Sequence, residues 1–548
     1  MKKVYAVYDT IGIQSYIFAS NKLRENKGAS ELAGRVLKEY LPNILKETLK
    51  DAYDAGNVIV DWKNRRDEPL KIASAADVKA EIVYIGGGNA YVVYDTYETY
   101  ADITKAFMLD VYEKAAGIGI ATASICTDFS GNYTAEYAQL HANLAVVKSK
   151  LNRPIPASNQ PITKASPLTG LPAVEISDSG EFLSIDQVQK RAARNSTRDR
   201  EKGEKFLEFS ELNRGTDFIS VIHADGNSMA KLIEKYADTP DWHEAVPRIR
   251  EMSYRISTLY KTALENTVKN FESFYNNEVS KSKNSKSEMD ATLPFINIIA
   301  DGDDITCVIA GQYGLSFAAN LLREVERLNN SDAYPFPDWE KVWPAKPLAT
   351  ACAGAVIFHS HYPFSAAYEM AEACCANAKR YTRKADVVGS FIDFHLHSAG
   401  TVASLNQFRK EQYSVHNGAS EESLLYRPYC VSVGECFDDI YPPFSQFELL
   451  MDEWVFQNNA QATKPWPRSR QKALRNALSK SAAEVDDVIN WCKARGFALP
   501  SHPPLVKSKG GQQALSDYAL LFDVLELADM YKKIPNLEEC ANADDVKN

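Results

Sequence analysis

Asp301-Gly302-Asp303-Asp304 sets three carboxylates around one glycine, between the apolar runs Leu293 to Ala300 and Ile305 to Ala310. Both runs read as buried strands, so the acidic tetrad is expected at the tip of a β-hairpin. Acids placed this close repel one another, and a divalent cation removes that penalty. The plain alternative is a solvated Asp/Gly turn, which fits less well between strands that look buried. Asp225 ends another strand-like run, Phe218 to Ala224, and is followed by Gly226 and Asn227. Taken alone, Asp225 reads as a helix-capping residue; beside the hairpin it reads as a third metal ligand.

Two divalent ions held by acids on neighbouring strands can activate a sugar hydroxyl and stabilise a departing pyrophosphate. Asp225, Asp303 and Asp304 supply the acids. Gly226 and Gly302 let the backbone come close, and the helix expected after Asn227 offers its N-terminus to a triphosphate. No Gly-x-x-x-x-Gly-Lys-Ser/Thr motif occurs, so any phosphoryl chemistry is of the palm kind rather than the P-loop kind.

The elements that must position these acids follow from periodicity. Met229, Leu232, Ile233 and Tyr236 lie at helical spacing, and a second helix is expected over Val246 to Phe274. Asn276 to Asp290 is rich in Ser, Lys and Asn and reads as an exposed insertion. After the hairpin come a helix over Leu315 to Leu328, a strand over Leu348 to Phe358, a helix over Phe364 to Tyr381 and a strand over Phe391 to His397. The order βαββαβ is that of a ferredoxin-like palm, in which the first strand ends beside the central hairpin. Asp225 is therefore expected to approach Asp303 and Asp304.

The N-terminal part repeats the plan. A strand over Val4 to Tyr8 ends at Asp9, and a helix is expected to start near Ser30. Strands over Ala80 to Ile85 and Ala90 to Tyr94 flank Gly86-Gly87-Gly88-Asn89, followed by a helix over Tyr100 to Ala115 and a strand over Gly119 to Cys126. This is an internal duplication in which only the second copy keeps its hairpin acids; Asp9 reads as a residual structural acid. The fold class is α+β: a first palm over 1–135, a linker or small helical domain over 136–212, a second palm over 213–400 and a helical domain over 401–548. An amphipathic helix is expected over Leu520 to Tyr531.

The chain has 548 residues and a net charge of −10, so its overall field gives no reason to bind nucleic acid directly. No apolar run is long enough to span a membrane and no signal peptide opens the chain, so no membrane role is expected and the cytoplasm is the default location. The nine cysteines form no Cys-x-x-Cys pair and read as reduced, buried thiols. His359 with His361 and His395 with His397 form two His-x-His pairs, read as surface or hydrogen-bonded histidines in preference to a transition-metal site. Lys190 to Lys205 reads as a solvated basic face.

These residues resemble the large subunit of type III CRISPR effector complexes, whose two palm domains make cyclic oligoadenylates from ATP. Ile11-Gly12-Ile13-Gln14-Ser15-Tyr16-Ile17-Phe18, with Lys22-Leu23-Arg24 and Gly28-Ala29-Ser30, is similar to that family's first-palm signature. Asp301-Gly302-Asp303-Asp304 resembles its Gly-Gly-Asp-Asp hairpin, with Asp301 in place of the first glycine. Ala376-Asn377-Ala378-Lys379 resembles its lysine-bearing helix, and Arg427-Pro428-Tyr429 the start of its helical domain.

The resemblance implies that Asp225, Asp303 and Asp304 hold Mg2+ or Mn2+ in a two-metal site and are the catalytic residues. It implies that Ser30, Gly87 and Gly88 face a second ATP across the palm interface; Gly226, Asn227 and Gly302 are expected near nucleotide on the reading of the residues themselves. Ser30 reads equally as a helix N-cap, and Lys379 equally as a phosphate contact or an exposed helix lysine. The family often carries an N-terminal HD nuclease and a cysteine zinc site between the palms. No such His-Asp pair precedes Val4, and Ser166 to Pro172 lacks cysteines, so neither DNA cleavage nor zinc is expected.

The implied function is a metal-dependent nucleotidyltransferase converting ATP, or another nucleoside triphosphate, into cyclic oligoadenylate-type messengers. CRISPR effector subunits and guide or target RNA are the implied partners. The alternatives are an effector-complex scaffold with little synthesis and a stand-alone antiviral cyclase working outside CRISPR.

Overall fold

The computed structural model describes residues 2–151, 162–195, 208–214, 216–281, 292–330, 349–384, 389–398, 404–417, 420–432, 441–455, 466–497 and 518–537. The first strand, β1 (Lys3–Ile11), is buried from Val4 to Thr10 because its sheet is covered on both faces. Tyr5 meets Trp242 edge-on at 4.9 Å on one face, while Tyr8 meets Phe107 at 5.6 Å on the other. α1 (Leu23–Arg35) runs through one π-helical turn, Val36–Tyr40, into α2 (Leu41–Thr48). β2 (Ala80–Gly86), β3 (Asn89–Tyr94), α3 (Tyr97–Lys114) and β4 (Gly119–Thr127) complete the unit, and α4 (Tyr133–Lys150) packs on β4. The sheet order is β2-β3-β1-β4, with a two-residue strand, Val58–Ile59, parallel to β2 at the edge.

After α5 (Ile185–Asn195) the plan recurs as β5 (Phe218–Gly226), α6 (Met229–Tyr236), α7 (Trp242–Lys281), β6 (Phe295–Asp301), β7 (Asp304–Ala310), α8 (Gly314–Asn329) and β8 (Ala351–His359). α9 (Phe364–Lys384) then leads to β9 (Phe391–His397), which lies parallel to β8. Its core order, β8-β5-β7-β6, is that of the first sheet. The chain is thus α+β, with two ferredoxin-like palms in tandem and a helical C-terminal part.

The copies agree in register as well as in order. Gly86 pairs with Asn89 across the first hairpin tip as Asp301 pairs with Asp304 across the second. Asp9 lies opposite Asn89 as Asp225 lies opposite Asp304. Asp9 is paired with Lys148 at 2.8 Å.

Residues from both palms share one apolar cluster. Phe18 stacks on Tyr368 at 3.8 Å, and Asn21 Oδ1 accepts from the Phe364 amide at 3.0 Å. From α7, Arg250 reaches the first palm and donates to the Val83 carbonyl at 2.6 Å and the Ile82 carbonyl at 3.0 Å. Its fully buried partner there is Glu81, at 3.4 Å. These contacts fix the cleft into which both hairpins point.

Several expectations need correction. The helix expected near Ser30 begins at Leu23, so Ser30 lies inside α1 and caps nothing. Lys190 is buried and donates to the Tyr16 carbonyl at 3.1 Å, while Arg191 pairs with the buried Glu25 at 2.6 Å. Lys190 and Arg191 bind α5 to Tyr16 and to α1 rather than forming a solvated face; 196–207 lie outside the described residues. α7 continues to Lys281, so the expected insertion over Asn276 to Asp290 is helical at its start, and 282–291 lie outside the described residues.

The C-terminal part adds α10 (Leu405–Gln412), α11 (Phe444–Leu450), α12 (Arg468–Leu478), α13 (Ala482–Lys493) and α14 (Ala519–Leu527). It also adds a hairpin, Ser414–Asn417 with Ser420–Ser423, and the strand Tyr429–Cys430 on the second palm's sheet. α14 is buried all round rather than amphipathic. Its Asp523 and Glu526 pair with buried Arg427 at 3.0 and 2.6 Å, so its acids face a cation in the core and not water.

Candidate active site

Three adjacent strand ends carry the acids. Asp304, first residue of β7, lies opposite Asp301 on β6 and Asp225 on β5. Because side chains alternate along a strand, His223 shares a face with Asp225, and Thr306 shares one with Asp304. His223 Nδ1 is 3.3 Å from Thr306 Oγ1 and 3.5 Å from Asp304 Oδ1. Burial pushes the imidazole down to about 4, against the pull of Asp225, so His223 is neutral at pH 7 behind the acids.

The two glycines serve different ends. Gly302 sits at φ +64° in open space, where an added methyl would meet no atom, so it answers the tight tip rather than a close approach. At Gly226 a Cβ would stand 2.7 Å from Asp303 Oδ2 and 2.8 Å from its Cβ. Only glycine lets the end of β5 come this close to the hairpin.

Lys379, on α9, is the counter-charge. Its Nζ donates to Asp225 Oδ2 at 2.5 Å and to the Gly226 carbonyl at 2.9 Å, and its side chain is only 14% exposed. The reading as an exposed helix lysine is therefore corrected. Asp225 belongs to a strand and caps no helix; the N-cap of α6 is Ser228, with φ 58° and no side-chain cap bond. Asn227 gives its side-chain amide to Thr350 Oγ1 at 2.9 Å and the Gly389 carbonyl at 3.1 Å, bracing the turn after Asp225.

Electrostatics record the crowding. Burial first, then Asp225, pushes Asp303 up to about 6 and Asp304 up to about 8, with Lys379 acting the other way. Asp304 Oδ1 is buried without a hydrogen-bond partner. Among the described residues no group of three or more His, Cys, Asp or Glu already stands at metal-holding spacing, and Lys379 balances Asp225 in this arrangement. The donor chemistry nonetheless fits a hard divalent cation, which prefers carboxylate oxygens and would satisfy the orphaned Asp304 atom. The pair of His395 and His397 fits none: His395 is fully buried, packed edge-on against Phe408 at 4.9 Å. That corrects the surface or hydrogen-bonded reading for His395, neither of whose ring nitrogens has a hydrogen-bond partner.

A cavity of about 590 Å3 lies between the palms. Asp301, Asp303 and Asp304 line it from the second palm, and Ser30, Gly87 and Gly88 from the first. Gly87 and Gly88 both take positive φ, 58° and 75°, at the first hairpin tip. Ser30 Oγ donates to the Ile298 carbonyl at 2.5 Å, joining α1 to β6. Asp225, Gly226, Asn227, Gly302 and Lys379 are not among its lining residues.

Two residues escape sequence reasoning. His223 lies two positions before Asp225, and strand alternation alone would have put it on the same face. Lys38 carries no motif, yet its Nζ meets Asp301 Oδ1 at 2.6 Å across the cleft.

Residues 218–388 match the family described as Cas10/Cmr2, second palm domain. No curated protein sequence matches the chain. Among solved structures, the chain is similar to a Csm1-Csm4 cassette in complex with one ATP, at 12% identity over 96% of this chain and 70% of that one, with a TM-score of 0.49. The same cassette in complex with cA3 gives 12% identity, 96% and 70% coverage and a TM-score of 0.49. No described helix is long and apolar enough to cross a membrane.

Proposed function

We propose, from a chain that carries the second palm domain of the Cas10/Cmr2 family, that this protein is a metal-dependent nucleotidyltransferase. It would join ATP into cyclic oligoadenylate-type messengers in CRISPR type III-like antiviral defence. The observation that carries this reading is the shared cavity, with Asp303 and Asp304 on one wall and the acid-free hairpin Gly87-Gly88 on the other. One wall is suited to chemistry and the other to holding a second nucleotide.

Nucleotidyl transfer forms a bond from the 3′-oxygen of one nucleotide to the α-phosphorus of another. It breaks the α–β phosphoanhydride and releases pyrophosphate and the hydroxyl proton. Asp225, Asp303 and Asp304 would hold the divalent cations, Mg2+ or Mn2+, whose charge lowers the pKa of the hydroxyl and offsets that of the leaving group. Lys379 fixes Asp225 and adds a positive charge beside Gly226. Gly226 keeps that strand end within reach of Asp303, and neutral His223 backs Asp304 without adding charge. Gly87 and Gly88, without side chains, leave room for a nucleotide against the first hairpin, and Ser30 holds α1 to β6.

The net charge of −10 favours guide or target RNA held through other effector subunits over direct capture. The experiment is pyrophosphate release from ATP and Mn2+ by the purified protein. Activity is expected in the wild type and absent when Asp303→Ala and Asp304→Ala are combined; equal activity in the double variant contradicts the site.

A further inference from the structure

Lys38 stands on the π-helical turn Val36–Tyr40, and its Nζ donates to Asp301 Oδ1 at 2.6 Å across the cleft. A π turn adds a residue to the helical repeat and re-aims the side chains around it, frequently at functional places. Among the described residues lining the cavity, Lys38 carries the one positive charge, against Asp301, Asp303 and Asp304. A nucleoside triphosphate entering this cavity brings several negative charges to walls that already carry three carboxyl groups. Its phosphates need a cation on the first palm's side, and Lys38 is the group placed to provide one.

The pair is also built to exchange. The Lys38 and Asp301 side chains are 43% and 39% exposed, and ion pairs in such surroundings add little to stability. The palms are held without it by Arg250 on Glu81, by Phe18 on Tyr368 and by Ser30 on Ile298. A latch at this point would be redundant, whereas an ammonium parked on a carboxylate can be handed to a phosphate at small cost.

Resting on the nucleotidyltransferase reading above, we propose that Lys38 binds the phosphates of the nucleotide held against the first palm, and that Asp301 is its competing intramolecular partner. Asp301 keeps the ammonium in the cleft, and the phosphate takes it over. The residue at the first position of the acidic hairpin thus sets nucleotide affinity from across the interface.

The test is equilibrium binding of a non-hydrolysable ATP analogue, bridged by methylene between the α- and β-phosphates, in Mg2+. Wild type is compared with Lys38→Ala, Asp301→Ala and the double variant. Loss of one charge-assisted phosphate contact is expected to weaken binding roughly tenfold or more in Lys38→Ala. Asp301→Ala is expected to bind more tightly than wild type, and the double variant to match Lys38→Ala. Unchanged binding in Lys38→Ala overturns the inference, and so does equal weakening by both single substitutions, which is the signature of a latch. Either result leaves the wild type's own binding intact; a wild type that binds no analogue overturns the nucleotidyltransferase reading itself. Both side chains are partly exposed, so thermal unfolding midpoints within about 2 °C of wild type verify the fold.

Discussion

Lys379 and Asp225 form an ion pair at 2.5 Å, and the same ammonium donates to the Gly226 carbonyl at 2.9 Å. A lysine from the helix after β8 therefore sets the position of an acid at the end of β5. It also occupies a place that a cation would contest. Substituting it separates these roles. Lys379→Met is expected to lower ATP turnover by about tenfold or more, the scale of a lost charge-assisted hydrogen bond. At about pH 9, past proton competition, the same variant is expected to bind Mn2+ severalfold more tightly, because a competing positive charge is gone. Turnover and Mn2+ titration moving together would refute the dual role.

The acids make the metal-free protein pH-sensitive in a definite direction. Burial and Asp225 raise Asp303 to about 6 and Asp304 to about 8, above the ordinary carboxyl range in the unfolded chain. The folded state thus binds more protons than the unfolded one. That contribution to stability is present below about pH 4 and is lost as pH climbs through the two folded values. Melting of metal-free protein between pH 5 and pH 9 is expected to show a midpoint that falls with pH by a few degrees. Asp304→Asn should flatten the fall, and Mg2+ should cancel it.

Gly226 and Gly302 predict contrasting costs. A methyl at Gly226 meets Asp303 and Met229 at 2.7 Å, so Gly226→Ala is expected to cost about 1–3 kcal/mol in urea unfolding and to abolish most pyrophosphate release. Gly302→Ala meets no atom and strains only the positive φ, costing about 1 kcal/mol.

Arg250 tests what holds the cleft. It is fully buried, opposite the equally buried Glu81 of the other palm. Arg250→Met leaves that carboxylate without its partner and is expected to cost about 3–5 kcal/mol, seen as a lower urea midpoint. Adding Glu81→Leu should recover part of the loss. Equal destabilisation in the single and double variants would mean that the pair does not join the palms.

The duplicated βαββαβ plan was legible in the sequence because strand alternation, helical spacing and the two short hairpin tips are local signals. The position of Asp225 beside Asp304 followed from topology alone. What escaped was decided by packing. Ser30 looks like a helix start, yet α1 begins at Leu23 because the whole segment packs under α5. Lys190 reads as part of a solvated face and the helix over Leu520 to Tyr531 as amphipathic, but Lys190, Asp523 and Glu526 each have a buried partner far away in sequence. The partner of Asp301, Lys38, lies 263 positions earlier, beyond the reach of any local signal.

The proposed reaction closes ATP into a cyclic oligonucleotide at Asp225, Asp303 and Asp304. Mass spectrometry of the products formed from ATP and Mn2+ reads that closure. The expected result is a ring of adenylate units, free of triphosphate, that disappears in the combined Asp303→Ala and Asp304→Ala variant. Unconverted ATP in the wild type, or the same ring from the double variant, would contradict it.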